Sequence, residues 1–231
     1  MSGKTLLSIC GGDGQEADFF QRQGAKVTVI DLSTIALEAA RLRNPALQCV
    51  CMDAESLTFA DGSFDWVIVR DGLHHLSRPL KGFYEIERVS REGFAILEGQ
   101  DSLPIRLLSV AGIAENWDPA GGYVYRFSRR EFRKIFSSMQ SVAEWKIHTA
   151  WLPFGSDVLG HFPAFRRFVY PVIQQPLIYR LLATKSARGA FKTLFGIVSS
   201  VAGYWGNSLI VVAHKDRCNY SWPQPEGVQG N

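Results

Sequence analysis

Short apolar runs alternate with stretches of helical period along the first hundred residues, and that alternation predicts strands and helices in turn. Thr5–Ile9, Lys26–Ile30, Leu47–Cys51, Phe64–Val69 and Gly93–Leu97 read as strands one to five. The fourth, Phe64–Val69, has the continuous apolarity of a strand covered on both faces. Between them, Gln15–Arg22 reads as a helix ending at Gly24. Ser33 caps a second helix with Ile35, Ala36, Ala39 and Ala40 on one face, and Ser77 with Pro79 opens a third with Leu80, Phe83, Ile86 and Val89 inward. Strands and helices in this order predict an α/β fold with a doubly wound, mostly parallel sheet, whose ligands bind at the carboxyl ends of the strands.

The later chain is patterned differently. Glu98-Gly99-Gln100-Asp101 leads into an irregular stretch through Trp117 to Tyr125, and Ser128-Arg129-Arg130-Glu131 is a capping box for a helix with Phe132, Ile135 and Phe136 as its apolar face. Arg126, Arg129, Arg130, Arg133 and Lys134 read as a solvated face. From Val158 to Leu209 there is no acid, while Arg166, Arg167, Arg180, Lys185, Arg188 and Lys192 are interleaved with aromatics. Lys185, Arg188 and Lys192 lie opposite Ala187, Phe191, Leu194, Phe195 and Val198, a basic amphipathic pattern suited to an anionic bilayer surface. The turn Gly203-Tyr204-Trp205-Gly206-Asn207 interrupts the uncharged run that follows, against a spanning helix.

Composition narrows the class further. At 231 residues and 46% hydrophobic the chain can bury one good core, and a net charge of +3 is too small to argue for nucleic acid. Cys10, Cys49, Cys51 and Cys218 show no metal-ligand spacing, so no metal is expected, and reduced thiols in a cytoplasm fit best. The residues before Cys10 hold no apolar segment long enough for export.

The candidate chemistry begins at Cys10-Gly11-Gly12-Asp13-Gly14, between strand one and the first helix. Glycines there allow a tight turn and close approach of a ligand to backbone amides at a helix start. Asp31, at the tip of strand two, is placed to accept hydrogen bonds from a ribose diol. A nucleoside-containing cofactor follows from this pairing.

Five motifs in order, Gly12/Gly14, Asp31, Asp53-Ala54, Ser63-Phe64-Asp65 and Leu73-His74-His75, make the first hundred residues resemble the class I S-adenosylmethionine-dependent methyltransferases, in their broad small-molecule branch. The resemblance implies a seven-stranded Rossmann-like sheet closed by an antiparallel pair, which Ser141–His148 and Ser208–His214 can supply. It then makes residues 157–206 a helical insertion between the last two strands, within a domain of residues 1–215 followed by a flexible tail, 216–231. It further implies S-adenosylmethionine as methyl donor and S-adenosylhomocysteine as product. By position, Cys10, Gly11, Gly12 and Gly14 would hold the methionine moiety, Asp31 and Leu32 the ribose side, Asp53 and the Ala54 amide the adenine edge, and Arg70 the methionine end through its backbone. Two positions depart from the family: Ser8 stands where a carboxylate is usual, and Cys10 where the first glycine is usual.

His74 and His75 are the catalytic candidates, on a loop facing the expected methyl group, with His75 first as base or acceptor-orienting group. The same pair can instead pack and hydrogen-bond behind the cofactor. Glu98, at the end of strand five, could bond either the acceptor or the loop backbone. The expected reaction is methyl transfer to oxygen or nitrogen of a small-molecule acceptor, apolar, lipid-linked or a natural-product or glycan intermediate. The expected location is the cytoplasm, with peripheral membrane contact through 157–206, which would also cover the site. An NAD(P)-dependent oxidoreductase would share Gly12, Gly14 and Asp31, but it leaves Asp53-Ala54 unexplained and finds no Tyr-x-x-x-Lys pair. A non-catalytic relative acting as an interaction protein is the third reading.

Overall fold

A computed structural model describes residues 1–110, 117, 123–150, 206 and 208–216. Its elements are β1 (Thr5–Ile9), α1 (Gln15–Arg22), β2 (Lys26–Asp31), α2 (Thr34–Arg43), β3 (Gln48–Cys51), β4 (Phe64–Arg70), α3 (Pro79–Val89), β5 (Ser90–Gly99), α4 (Leu103–Val110), α5 (Arg129–Ser138), β6 (Val142–Ala150) and β7 (Ser208–Lys215). One short helical turn, Leu73–His75, lies between β4 and α3. The strands form one sheet in the order β3-β2-β1-β4-β5-β7-β6. β1 to β5 pair in parallel, and β7 joins β5 and β6 antiparallel. This is the doubly wound, mostly parallel sheet expected, with its antiparallel closing pair.

Because successive side chains point to opposite faces, each strand feeds two cores. Leu6, Val27, Val29 and Leu47 pack with Ala17 of α1 and Leu37 of α2. On the other face Leu7, Val67, Phe94, Ile96 and Val211 meet α3 and α5. There Phe83 lies 5.8 Å from Phe94 and 5.5 Å from Phe136, ring to ring, and Trp145 stacks on Phe136 at 5.6 Å.

Several details differ from the sequence expectation. Leu37 and Ala40, not Ile35 and Ala39, are the buried face of α2; Ile35 is 80% exposed. Apolar residues surround that helix, so periodicity did not define a side, and packing on β2 and β3 chose one. Leu80 is exposed at the start of α3, whereas Phe83, Ile86 and Val89 are buried. Arg78 rather than Ser77 precedes the first residue of α3, with its backbone N–H donating to Glu55 Oε1 at 2.7 Å. Within the stretch read as irregular, Leu103–Val110 is a helix; Pro104 reads as a breaker but is tolerated in a first turn, where its missing N–H has no partner to lose. Strand five extends to Ser90 and Gly99, with a register shift against β4 between the pairs Phe64–Ser90 and Trp66–Gly93 that lets it continue past Gly93. The capping box at Ser128 and Glu131 forms as read. The insertion and the tail lie outside the described residues, apart from Gly206 and Asp216.

Asp65 ties the amino ends of three strands together. Its Oδ2 accepts from Thr5 N at 2.8 Å and Thr5 Oγ1 at 2.9 Å, and its Oδ1 from Arg91 Nη2. The Arg91 guanidinium and the Thr5 donors hold its carboxyl at about 2, below the usual carboxylate range, against the opposing effect of burial. A depressed folded-state value stabilises the fold above the unfolded pKa, and the contribution is lost as pH falls through the folded one. Unfolding free energy from denaturant titrations is therefore expected to fall as pH drops from about 4 towards 2. In Asp65→Asn this part of the slope is expected to disappear.

Candidate active site

The carboxyl ends of β1 to β5 gather the residues singled out in the sequence. After β1 the chain turns through left-handed backbone at Cys10 (φ 50°), Gly12 (φ 52°) and Gly14 (φ 75°) before α1 begins. Asp31, at the end of β2, fixes this turn: its Oδ2 accepts from Gly12 N at 2.9 Å and its Oδ1 from Ser33 N at 2.8 Å. Each carboxylate oxygen keeps a further lone pair. A side chain built on Gly12 would meet nothing within 4 Å, so space over the turn is open to a ligand.

Asp53, past β3, is exposed and accepts from Glu55 N at 2.8 Å, while Ala54 beside it is buried. Leu32 is 66% exposed at the same sheet edge. Arg70, at the end of β4, pairs with Glu16 in the first turn of α1 and with Asp71 at 3.4 Å. Thus its guanidinium ties the β4 end to α1, compatible with a ligand contact through the Arg70 backbone only.

The loop after β4 rests on one buried carboxylate. Glu98, 1% exposed, accepts from Gly72 N at 2.8 Å and Leu73 N at 2.6 Å through Oε1, and its Oε2 lies 2.7 Å from His74 Nδ1. Of the two roles open to Glu98, bonding the loop backbone is the one present. His74 is buried behind the loop, while His75 is exposed with its ring 4.0 Å from that of His74. The two histidines therefore divide the two readings given to the pair: His74 packs, and His75 faces outward. Asp71 adopts φ 47°, and a Cβ on Gly72 would stand 2.6 Å from the Cβ of Cys10. The glycine turn and the β4 loop are pressed together at that point.

Burial, and then the charges of Asp31, Glu98 and Asp53, push the Cys10 thiol up to about 12. The turn therefore lies in a negative field, an environment for a cation rather than an anion. Beside the same sheet edge, a cleft of about 410 Å³ opens between α4 and Tyr123–Arg126, lined among others by Asp101, Ile105, Arg106, Tyr125 and Glu131. Sequence reading did not find it, because α4 was not foreseen. Among the described residues no group of three or more His, Cys, Asp or Glu is arranged to hold a metal.

Residues 7–97 match the sequence profile of a family described as "Methyltransferase domain". Over this stretch, less than half of its length, the chain is similar to class I S-adenosylmethionine-dependent methyltransferases. Among similar proteins, a demethylmenaquinone methyltransferase of Renibacterium salmoninarum is 25% identical over 162 residues, 64% of this chain and 67% of that protein. One from Beutenbergia cavernae is 34% identical over 102 residues, 44% and 42% of the two chains. The ubiquinone/menaquinone biosynthesis C-methyltransferase of Paracoccus denitrificans is 34% identical over 115 residues, 46% of each. The chain thus spans two thirds of the first relative and less than half of the other two. Among solved structures, the YcgJ protein of Bacillus subtilis aligns with TM-score 0.58 at 20% identity over 92% of both chains. The phosphoethanolamine N-methyltransferase 2 of Haemonchus contortus, solved in complex with S-adenosyl-L-methionine, aligns with TM-score 0.58 at 21% identity over 93% of this chain and 49% of that one. The [4+2]-cyclase SpnF aligns with TM-score 0.54 at 21% identity over 93% and 76%. These likenesses show the fold, and the cyclase among them shows that the fold by itself does not dictate methyl transfer.

The strand ends present groups that fit S-adenosylmethionine: an open glycine turn, carboxylates, and a negative field for a sulfonium and an ammonium. Burial, and then that field, keep the Cys10 thiol unreactive, since with a pKa of about 12 roughly one in ten thousand is thiolate at pH 8. Iodoacetamide at pH 8, read by peptide mass spectrometry, is expected to label the exposed Cys51 and leave Cys10 intact.

Proposed function

We propose that the protein transfers the methyl group of S-adenosylmethionine to a small-molecule acceptor, and that the acceptor is an apolar, lipid-linked aromatic of the quinol kind. The negative field over an open glycine turn, within the matched methyltransferase domain, carries the cofactor part of this reading. The dinucleotide alternative would share Asp31 with this reading but leaves Asp53-Ala54 unexplained. The acceptor part rests on the relatives, named as quinone methyltransferases. Their names shift the expected acceptor atom from oxygen or nitrogen to a ring carbon. The cleft beside α4, with Tyr125 and Ile105 among polar groups, is of a size and character to take such a ring.

In this reading the turn Cys10–Gly14 receives the methionine part, with Arg70 contributing its backbone. Asp31 and Leu32 hold the ribose side, and Asp53 with the Ala54 amide meets the adenine edge. S-adenosylmethionine supplies an electrophilic methyl carbon, so catalysis is mainly alignment. The acceptor atom bonds to that carbon as the sulfur–methyl bond breaks, and the acceptor's proton leaves to a base. His75, exposed on the loop after β4, is the base in this reading, and its ring contact with His74, itself held by Glu98, limits where the ring can go. Peripheral contact of residues 157–206 with a bilayer would bring an apolar acceptor to the site; among the described residues no helix is long and apolar enough to cross a membrane.

Two substitutions separate the roles. Asp31→Ala is expected to weaken S-adenosylmethionine binding by about 1 to 3 kcal/mol in calorimetry, the scale of hydrogen bonds lost to a buried ligand. His75→Ala is expected to lower turnover of a demethylated quinol by roughly 10²-fold with cofactor affinity nearly unchanged. Equal losses in cofactor binding and melting temperature would make His75 a structural residue.

A further inference from the structure

The geometry points to Glu98 as a specificity-determining residue: its buried carboxylate is the charge by which the site distinguishes the sulfonium of S-adenosylmethionine from the neutral thioether of S-adenosylhomocysteine. This rests on the cofactor reading above and adds the residue that sets the preference.

Three observations carry it. First, the carboxylate is fully enclosed, with no side-chain exposure, and its donors are two backbone amides and an imidazole N–H. Such donors satisfy an ionised carboxylate without cancelling its charge, provided the imidazole is in its neutral Nδ1–H form. Arg70, at the end of the adjacent strand, is committed to Glu16 and Asp71 instead. Second, the charge lies close beneath the turn. Gly72 N is 2.8 Å from Glu98 Oε1, and the Gly72 backbone is pressed against Cys10, the first residue of the turn. Gly72 is buried and Cys10 half-buried at that contact, and a charge acts further through buried matter than through water. The Glu98 charge is felt at the Cys10 thiol. Third, the other carboxylates at this edge are placed differently. Asp31 acts on Cys10 more strongly but from the β2 side, where the ribose common to both ligands would lie, and Asp53 is exposed to screening solvent. β1 adds no charge below the turn, since the buried residue there is Ser8.

The donor and its product share adenine, ribose and amino-acid parts and differ by one methyl group and one positive charge. Their affinity ratio therefore isolates the field at the sulfur. A Glu98 that served only as a latch for Gly72, Leu73 and His74 would affect both ligands alike. Glu98→Gln keeps the shape and two amide bonds while removing the charge; Glu98→Asp keeps the charge while straining the latch.

The test is calorimetric titration of the intact wild-type chain and both variants with S-adenosylmethionine and, separately, S-adenosylhomocysteine at low salt, with thermal melts in parallel. In Glu98→Gln the donor is expected to bind about tenfold or more weaker while the product changes by less than about twofold. Glu98→Asp is expected to keep the wild-type ratio even if both affinities fall. Equal weakening of both ligands in Glu98→Gln would overturn the inference and leave Glu98 a latch. If Glu98→Gln fails to fold, the double variant Glu98→Gln/His74→Gln, in which a side-chain amide faces the new amide, takes its place and is read by the same two outcomes. Wild-type protein that binds neither ligand would instead overturn the cofactor reading on which the inference rests.

Discussion

Carboxylates at the ends of strands, each spent on backbone amides of a neighbouring loop, are the interaction on which the site depends. Asp31 holds Gly12 and Ser33, Asp53 holds Glu55, Glu55 holds Arg78, and Glu98 holds Gly72 and Leu73. Loops cannot satisfy their own amides as helices and strands do, and an amide buried without a partner costs about as much as a lost hydrogen bond. The sheet therefore supplies the acceptors, and the loops take the shapes those acceptors permit. Two chain turns that need left-handed backbone, at Cys10 and at Asp71, are held face to face in this way. A consequence is that negative charge accumulates where the loops meet, so the device that fixes the loops also sets the electrostatics of what can bind between them.

The parallel half of the fold was legible because its signals are local. Strands buried on both faces read as apolar runs, and the glycines and the acid of strand two sit at fixed places in a strand-turn-helix-strand unit. What escaped depended on partners distant in sequence. Which side of α2 is buried was decided by β2 and β3, because Ile35, Leu37 and Leu42 leave no polar face to read. α4 lay within the stretch read as irregular, and Pro104 fits it only because a helix begins just before it. Glu98 could be named as a candidate from its place in an apolar strand, but whether it served acceptor or backbone was set by a loop 24 to 26 residues away.

The histidine pair shows the same division in small. Two adjacent residues on one short turn cannot point the same way, so one is drawn under the loop to Glu98 and the other is left at the surface. Sequence could place the pair at the end of β4 but could not say which ring is inside. Cys10 was legible as a departure from the usual glycine, whereas its chemical quiet was not, since that follows from burial and from carboxylates brought in by three other strands.

The central claim is that this carboxylate-held turn receives a sulfonium nucleoside. Calorimetry of the intact chain against S-adenosylmethionine, S-adenosylhomocysteine, NAD and NADP tests it most directly. Saturable binding of the first two and none of either dinucleotide is the result expected; binding of a nicotinamide dinucleotide with neither sulfur nucleoside bound would contradict it.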